Sequence, residues 1–187
     1  MLLKWMIGGR RATGYSALQR HLHWAVVLLC LVQIPTAWAI ERTHSPLLPP
    51  TAVDLFLHRI HAWSGWIVLT FVLAKVVLRY VHGVPFLSAH ASPIVRWGSK
   101  IGHTVLYGLL FALPITGTGA MFVSSAFAPF HRLLSWTLLA TVIVHVAAAL
   151  WHHFIRRDDV LLRMTVGSRN ENQQTVGRSG QQQPDSR

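Results

Sequence analysis

Cysteine and acidic residues are nearly missing from this 187-residue chain, which has one of the former and six of the latter. The lone cysteine, Cys30, rules out an internal disulfide, a Cys-x-x-Cys-His haem attachment and a cysteine-ligated iron–sulfur cluster. Charged residues make up only 12% of the chain against 52% hydrophobic, and the mean hydropathy is +0.40. That balance belongs to an integral membrane protein rather than a soluble domain. The formal charge of +11 does not indicate a nucleic-acid binder. Its lysines and arginines punctuate apolar runs instead of forming a patch with interleaved aromatics. No Asp or Glu falls within the predicted spans, which argues against a proton or metal-ion transporter, where intramembrane carboxylates are expected.

What the chain has in excess is histidine, twelve in all. The stretch from His131 to His145 organises the rest. Apart from Arg132, every residue between the two is apolar, Ser or Thr. The surrounding run can cross a bilayer, since about 20 residues rising ~1.5 Å each match a ~30 Å hydrocarbon core. The spacing of fourteen residues is close to four helical turns. Both imidazoles therefore share a face, roughly 21 Å apart along the axis. Ionisable groups inside a span are costly and usually functional. Two on one stripe at two depths predict two stacked sites. Imidazole is a haem axial ligand, and helix bundles build such sites from facing helices, so each site needs one more histidine from another span.

Four spans are expected, at 18–40, 57–80, 99–123 and 130–154, within a single transmembrane domain covering 1–164. A polar tail, 165–187, is rich in Gln, Ser, Gly, Asn and Arg and is expected to be disordered. Residues 1–15 read as a retained cytoplasmic end, because no small-residue cleavage site follows a short apolar core. Pro35 and Pro114 are expected to kink the first and third spans. Lys and Arg number 14 on one side of these spans and 3 (Arg42, Arg59 and Arg132) on the other. The positive-inside rule then puts both termini in the cytoplasm. This topology assigns depths. His23 and His145 fall on the inner half, and His61 and His131 on the outer half, so the pairs able to share a cofactor are His23 with His145 and His61 with His131. The choice among neighbouring histidines stays open at this point: His21 lies two residues from His23, and His152 lies seven past His145 on a similar face.

Two further residues carry paired readings. Gly65, one turn beyond His61, either lets a flat macrocycle approach the backbone or permits close helix packing. His103 either serves a haem propionate or proton relay near the inner site, or makes a structural polar contact between helices. His21, His58, His82, His90, His152 and His153 sit at span ends or in loops, where an imidazole reaches water at little cost.

Several stretches, in this order, carry a family resemblance. They are Tyr15-Ser16-Ala17-Leu18-Gln19-Arg20 leading to His23-Trp24; His61-Ala62-Trp63-Ser64-Gly65, with Lys75 before Arg79; Gly102-His103 to Tyr107; Leu113-Pro114-Ile115-Thr116-Gly117; and His145, His152-His153 and Asp158-Asp159-Val160-Leu161-Leu162-Arg163-Met164. From Tyr15 to Met164 the chain resembles the bacterial cytochrome b561 family and the related cytochrome b subunits of nickel–iron hydrogenases. The resemblance implies an all-α four-helix membrane bundle in the bacterial inner membrane. It implies two b-type haems stacked across the membrane, with axial ligands falling on His23, His61, His131 and His145. It also implies ubiquinone as the lipid-soluble redox partner and a periplasmic donor or acceptor, superoxide among the candidates. Arg59 and Arg132 would flank the outer ligands and steer an anion. The chain departs from some members in its very short connection before the fourth span, with no Trp directly before His131. The competing reading is a cytochrome b anchor subunit of a larger dehydrogenase or hydrogenase.

Overall fold

In the computed structural model, residues 11–12, 15–85, 93–157 and 160–165 are described. They form four long helices, α1 (Ala17–Thr43), α2 (Ala52–His82), α3 (Pro93–Phe122) and α4 (Ala128–Phe154), followed by a short α5 (Val160–Thr165). All four long helices are apolar and long enough to cross a membrane, the fourth counted from the 3-10 turn Ser125–Phe127 that leads into it. His90, Asp158 and Asp159, and the expected tail beyond Thr165, lie outside the described residues.

All four helices begin earlier than hydropathy alone predicts, and α1 and α2 also end later. Ser16 accepts from the Gln19 N–H while the Gln19 side chain returns to the Ser16 N–H, a reciprocal cap that starts α1. Thr51 and Asp54 do the same for α2. Glu41 and Asp54, read as loop residues from the sequence, therefore belong to helix ends. The reason is local: caps satisfy the orphan N–H groups of a first turn wherever they fall relative to the hydrocarbon. Pro35 and Pro114 lie inside α1 and α3, and both helices continue past them.

α1 packs most extensively on α2, α3 on α4, and α2 on α3. The buried centre is built by Val26, Val68 and Val72, with Leu29, Cys30, Phe71, Tyr107, Leu110 and Phe111 against it. These residues come from α1, α2 and α3. No described residue of α4 is fully buried, and α4 makes little backbone contact with α1 or α2. Among the long helices, α4 is therefore held mainly by α3.

The ends of the bundle are tied differently. At the end holding the α1–α2 connection, called outer after the charge asymmetry above, the Arg42 guanidinium grips Asp54. At the inner end, Gln19 donates to the Gly83 carbonyl at 3.1 Å, joining the start of α1 to the end of α2. Gly83 can end α2 there because its φ of 76° suits glycine. Arg11–Ala12 also pairs in parallel with Val84–Pro85. Arg11–Ala12 and the residues that follow α2 directly therefore lie at the same end.

Candidate functional site

Along α4 the half-buried positions include His131, Ser135, Leu138, Val142, His145, Ala149 and His152. Their alternating steps of four and three trace one helical stripe that faces the bundle. On α1, His23 is half-buried and His21 exposed. On α2, His61 and Lys75 lie on the packed face with Ser64, Val68 and Val72. On α3, His103 and Tyr107 are half-buried.

The outer pair is closed. The rings of His61 and His131 stand 6.3 Å apart between centroids, with planes at 72°. Their hydrogen bonds determine their tautomers. His131 Nδ1 donates to the Leu113 carbonyl at 3.0 Å, an oxygen that can only accept. Thr36 gives its hydroxyl proton to the Val32 carbonyl at 2.8 Å, and so accepts from His61 Nδ1 at 3.1 Å. Thr116 stands in the same relation to His131 at 3.2 Å, its own proton going to the Ala112 carbonyl. Both imidazoles therefore keep a lone pair on Nε2, which is how second-shell oxygens prepare histidine for a metal. With metal–nitrogen bonds of about 2 Å, two imidazoles on opposite sides of one ion have centroids about 6.4 Å apart. The observed separation is compatible with a metal centre that His61 and His131 would hold between them.

Around this pair the backbone approaches closely. A Cβ at Gly117 would stand 3.1 Å from His131 Cε1, so the imidazole lies in a notch on α3 that only glycine leaves open. A Cβ at Gly65 would meet the Gln33 side-chain nitrogen at 3.3 Å. Gln33 donates to the His61 carbonyl at 3.2 Å, and its other amide atom, Oε1, is buried without a partner. That bond sets the amide's orientation, because a flip would bring two acceptors together. Gln33, Thr36, Thr116 and Gly117 were not singled out from the sequence as supports of the outer pair. The only signal was the Pro-Thr and Pro-Ile-Thr-Gly stretches, in which a hydroxyl follows a helical proline.

The inner end differs. His145 lies against His103, with centroids 5.3 Å apart and planes at 84°, and His103 Nδ1 donates to the Ser99 carbonyl at 2.7 Å. His23 is engaged by Lys75, whose Nζ donates to His23 Nδ1 across 3.3 Å and also stands 5.9 Å from the centre of the Tyr107 ring. An ammonium can only donate, so His23 here carries its proton on Nε2, the reverse of the outer histidines. The inner histidines and Lys75 remain within electrostatic range of one another.

Near the outer pair, Arg132 is paired with Glu41 at 3.2 Å, which leaves Arg59 exposed and outside any described ion pair. The steering pair read from the sequence thus has one member partly neutralised.

The family model for prokaryotic cytochrome b561 matches residues 14–167. Cytochrome b562 of Cereibacter sphaeroides is 30% identical over 155 residues, covering 81% of this chain and 94% of its own. A protein named probable superoxide oxidase CybB, from Yersinia pestis, is 25% identical over 172 residues, covering 80% and 94%. Cytochrome b561 homolog 2 of Escherichia coli is 28% identical over 128 residues, covering 56% and 68%.

Proposed function

We propose that this chain, which belongs to the prokaryotic cytochrome b561 family, carries electrons through the bacterial inner membrane on two b-type haems, between ubiquinone in the bilayer and a partner at the outer face. Membrane electron transfer is the role of the family as a whole. A haem with two histidine ligands supplies one-electron chemistry with no open iron position.

The observation that carries the reading is the outer pair: two imidazoles at the spacing of opposed ligands, each with its Nδ1 tied to a protein oxygen. Thr36, Thr116 and Leu113 hold the rings in orientation and tautomer. For the inner site we assign His23 and His145, both half-buried and within electrostatic range of each other. Ligation through His23 Nε2 requires its proton to move to Nδ1. Lys75 must then turn away or give up a proton, which ties this site to the nearby polar groups His103 and Tyr107. That end suits ubiquinone, whose reduction consumes protons. His103 and Lys75 supply proton-carrying side chains there, and Lys100, held over Trp97 at 5.5 Å, lies on the same helix as His103.

The outer partner is water-borne. Superoxide is the candidate that the Yersinia relative's name supplies, and exposed Arg59 is the cation available to attract it.

Rapid-mixing absorbance on His131→Ala tests the assignment. Quinol should still reduce the inner haem, while exchange with an aqueous partner disappears. Loss of quinol reduction in that variant would place the quinone at the outer end and reverse the scheme.

A further inference from the structure

At the outer end, beyond the pair just described, His44 and His58 form a second imidazole cluster. His44 caps the end of α1 and is exposed, while His58 is half-buried on the first turns of α2. Their ring centroids are 5.4 Å apart, with planes at 46°. One hydroxyl joins them. Thr43 gives its proton to the Ile40 carbonyl at 2.9 Å and accepts from His58 Nδ1 at 3.0 Å. His44 Nδ1 donates to the same Ile40 carbonyl at 3.0 Å and lies 3.2 Å from the Thr43 oxygen. His44 is therefore protonated on Nδ1, His58 takes the same tautomer when Thr43 donates to Ile40, and neither Nε2 has a protein partner among the described residues.

We propose that His44 and His58 bind a divalent transition-metal ion at the outer surface of the bundle, with Thr43 as the positioning residue. The geometry differs from the haem-type pair in an informative way. With metal–nitrogen bonds of about 2.0–2.1 Å, two imidazoles at tetrahedral or right angles on one ion have centroids about 4.5–5.5 Å apart, against about 6.4 Å when opposed. The separation of 5.4 Å falls in the first range. Neutral imidazoles select copper, zinc and nickel over magnesium and calcium, and copper(II) stands highest in the affinity series. No third His, Cys, Asp or Glu among the described residues completes a cluster, so water fills the remaining positions. Asp54, one turn before His58, is unavailable because Arg42 and Thr51 hold it.

The test uses haem-loaded protein purified without a histidine tag and titrated with copper sulfate, read by calorimetry and by the nitrogen couplings in the copper(II) resonance spectrum. The expected result is one copper per chain with two nitrogen ligands. His44→Ala or His58→Ala should each remove one nitrogen and weaken binding by at least tenfold. Thr43→Val keeps both rings and should weaken binding about 10-fold to 100-fold, as second-shell losses do. An unchanged haem spectrum confirms that each variant is folded. The rival is the adjacent pair His152–His153 near the inner end of α4, so the double variant at those positions should keep the copper signal. The proposal is overturned if copper binds more weakly than about 1 mM. It is equally overturned if the two-nitrogen signal survives in the His44→Ala, His58→Ala double variant, or is lost from the His152, His153 double variant. None of these readouts depends on electron exchange, so failure here leaves the haem reading standing.

Discussion

Replacing Gly117 with alanine tests the outer site without touching a ligand. The added methyl would stand 3.1 Å from His131 Cε1 and 3.3 Å from Nδ1, so the ring must retreat by a few tenths of an ångström. It has little freedom to do so. Its Nδ1 is bound on the same helix by the Leu113 carbonyl at 3.0 Å and by Thr116 at 3.2 Å. The second contact already lies at the long end of the useful range, and retreat carries both past it. A neutral hydrogen bond of this kind is worth about 1 kcal/mol, and loss of a second-shell partner costs roughly 10-fold to 100-fold in metal affinity. Gly117→Ala should therefore leave the inner haem in place and lower the occupancy of the outer one, with Gly117→Val more severe. Haem quantitation by the pyridine method, with a redox titration of what remains, reads both effects. Two fully occupied haems with unchanged potentials in Gly117→Val would show that His131 is not held in this notch when the cofactor is bound.

Three further outcomes are expected. If Lys75 turns aside on ligation and keeps its proton, Lys75→Met removes a cation from the inner site and should lower the midpoint potential of the inner haem, since a nearby positive charge favours the reduced state; Lys75→Arg should retain most of the wild-type value, and equal potentials in all three proteins would show that Lys75 carries no charge near the inner haem. His152→Ala should leave both haems bound although His152 shares the stripe of His145, whereas a lost haem in that variant would move the inner ligand by two turns. Gln19→Ala removes the returning half of the reciprocal cap on α1 and the bond to Gly83, at a residue only 6% exposed, and should lower thermal stability by about 1–2 kcal/mol in a detergent melt. An unchanged melt would mean that water or lipid headgroups replace those bonds.

The four-helix architecture was legible because hydropathy, histidine spacing and lysine–arginine asymmetry all speak at the scale of a whole span. Helix ends were less so, since Ser16–Gln19 and Thr51–Asp54 cap their helices through local hydrogen bonds that hydropathy does not register. The rotation that turns His23 inward and His21 outward depends on packing of α1 against α2, and no spacing within α1 could decide it. The supports of the outer pair were hidden for a similar reason. Thr36 serves a histidine on another helix, and His131 rests on a glycine and a carbonyl of α3, contacts that exist only once the helices meet. The contact between Lys75 and His23 joins residues 52 positions apart. The two were visible only as members of separate stretches.

The loose seating of α4 bears on how the protein is made. A helix with no fully buried residue has weak protein-only anchorage, and here it rests mainly on α3. Anything bridging α4 to α1 and α2 contributes its binding free energy directly to closing the bundle, by the same mass action that couples metals to small domains. If the proposed haems bridge α4 to α1 and α2, cofactor delivery would be the last step of assembly. Chains inserted faster than haem is supplied would accumulate with α4 held mainly by α3, offering quality-control proteases a recognisable intermediate. Cellular haem supply would in this way set the abundance of the mature protein as well as its activity.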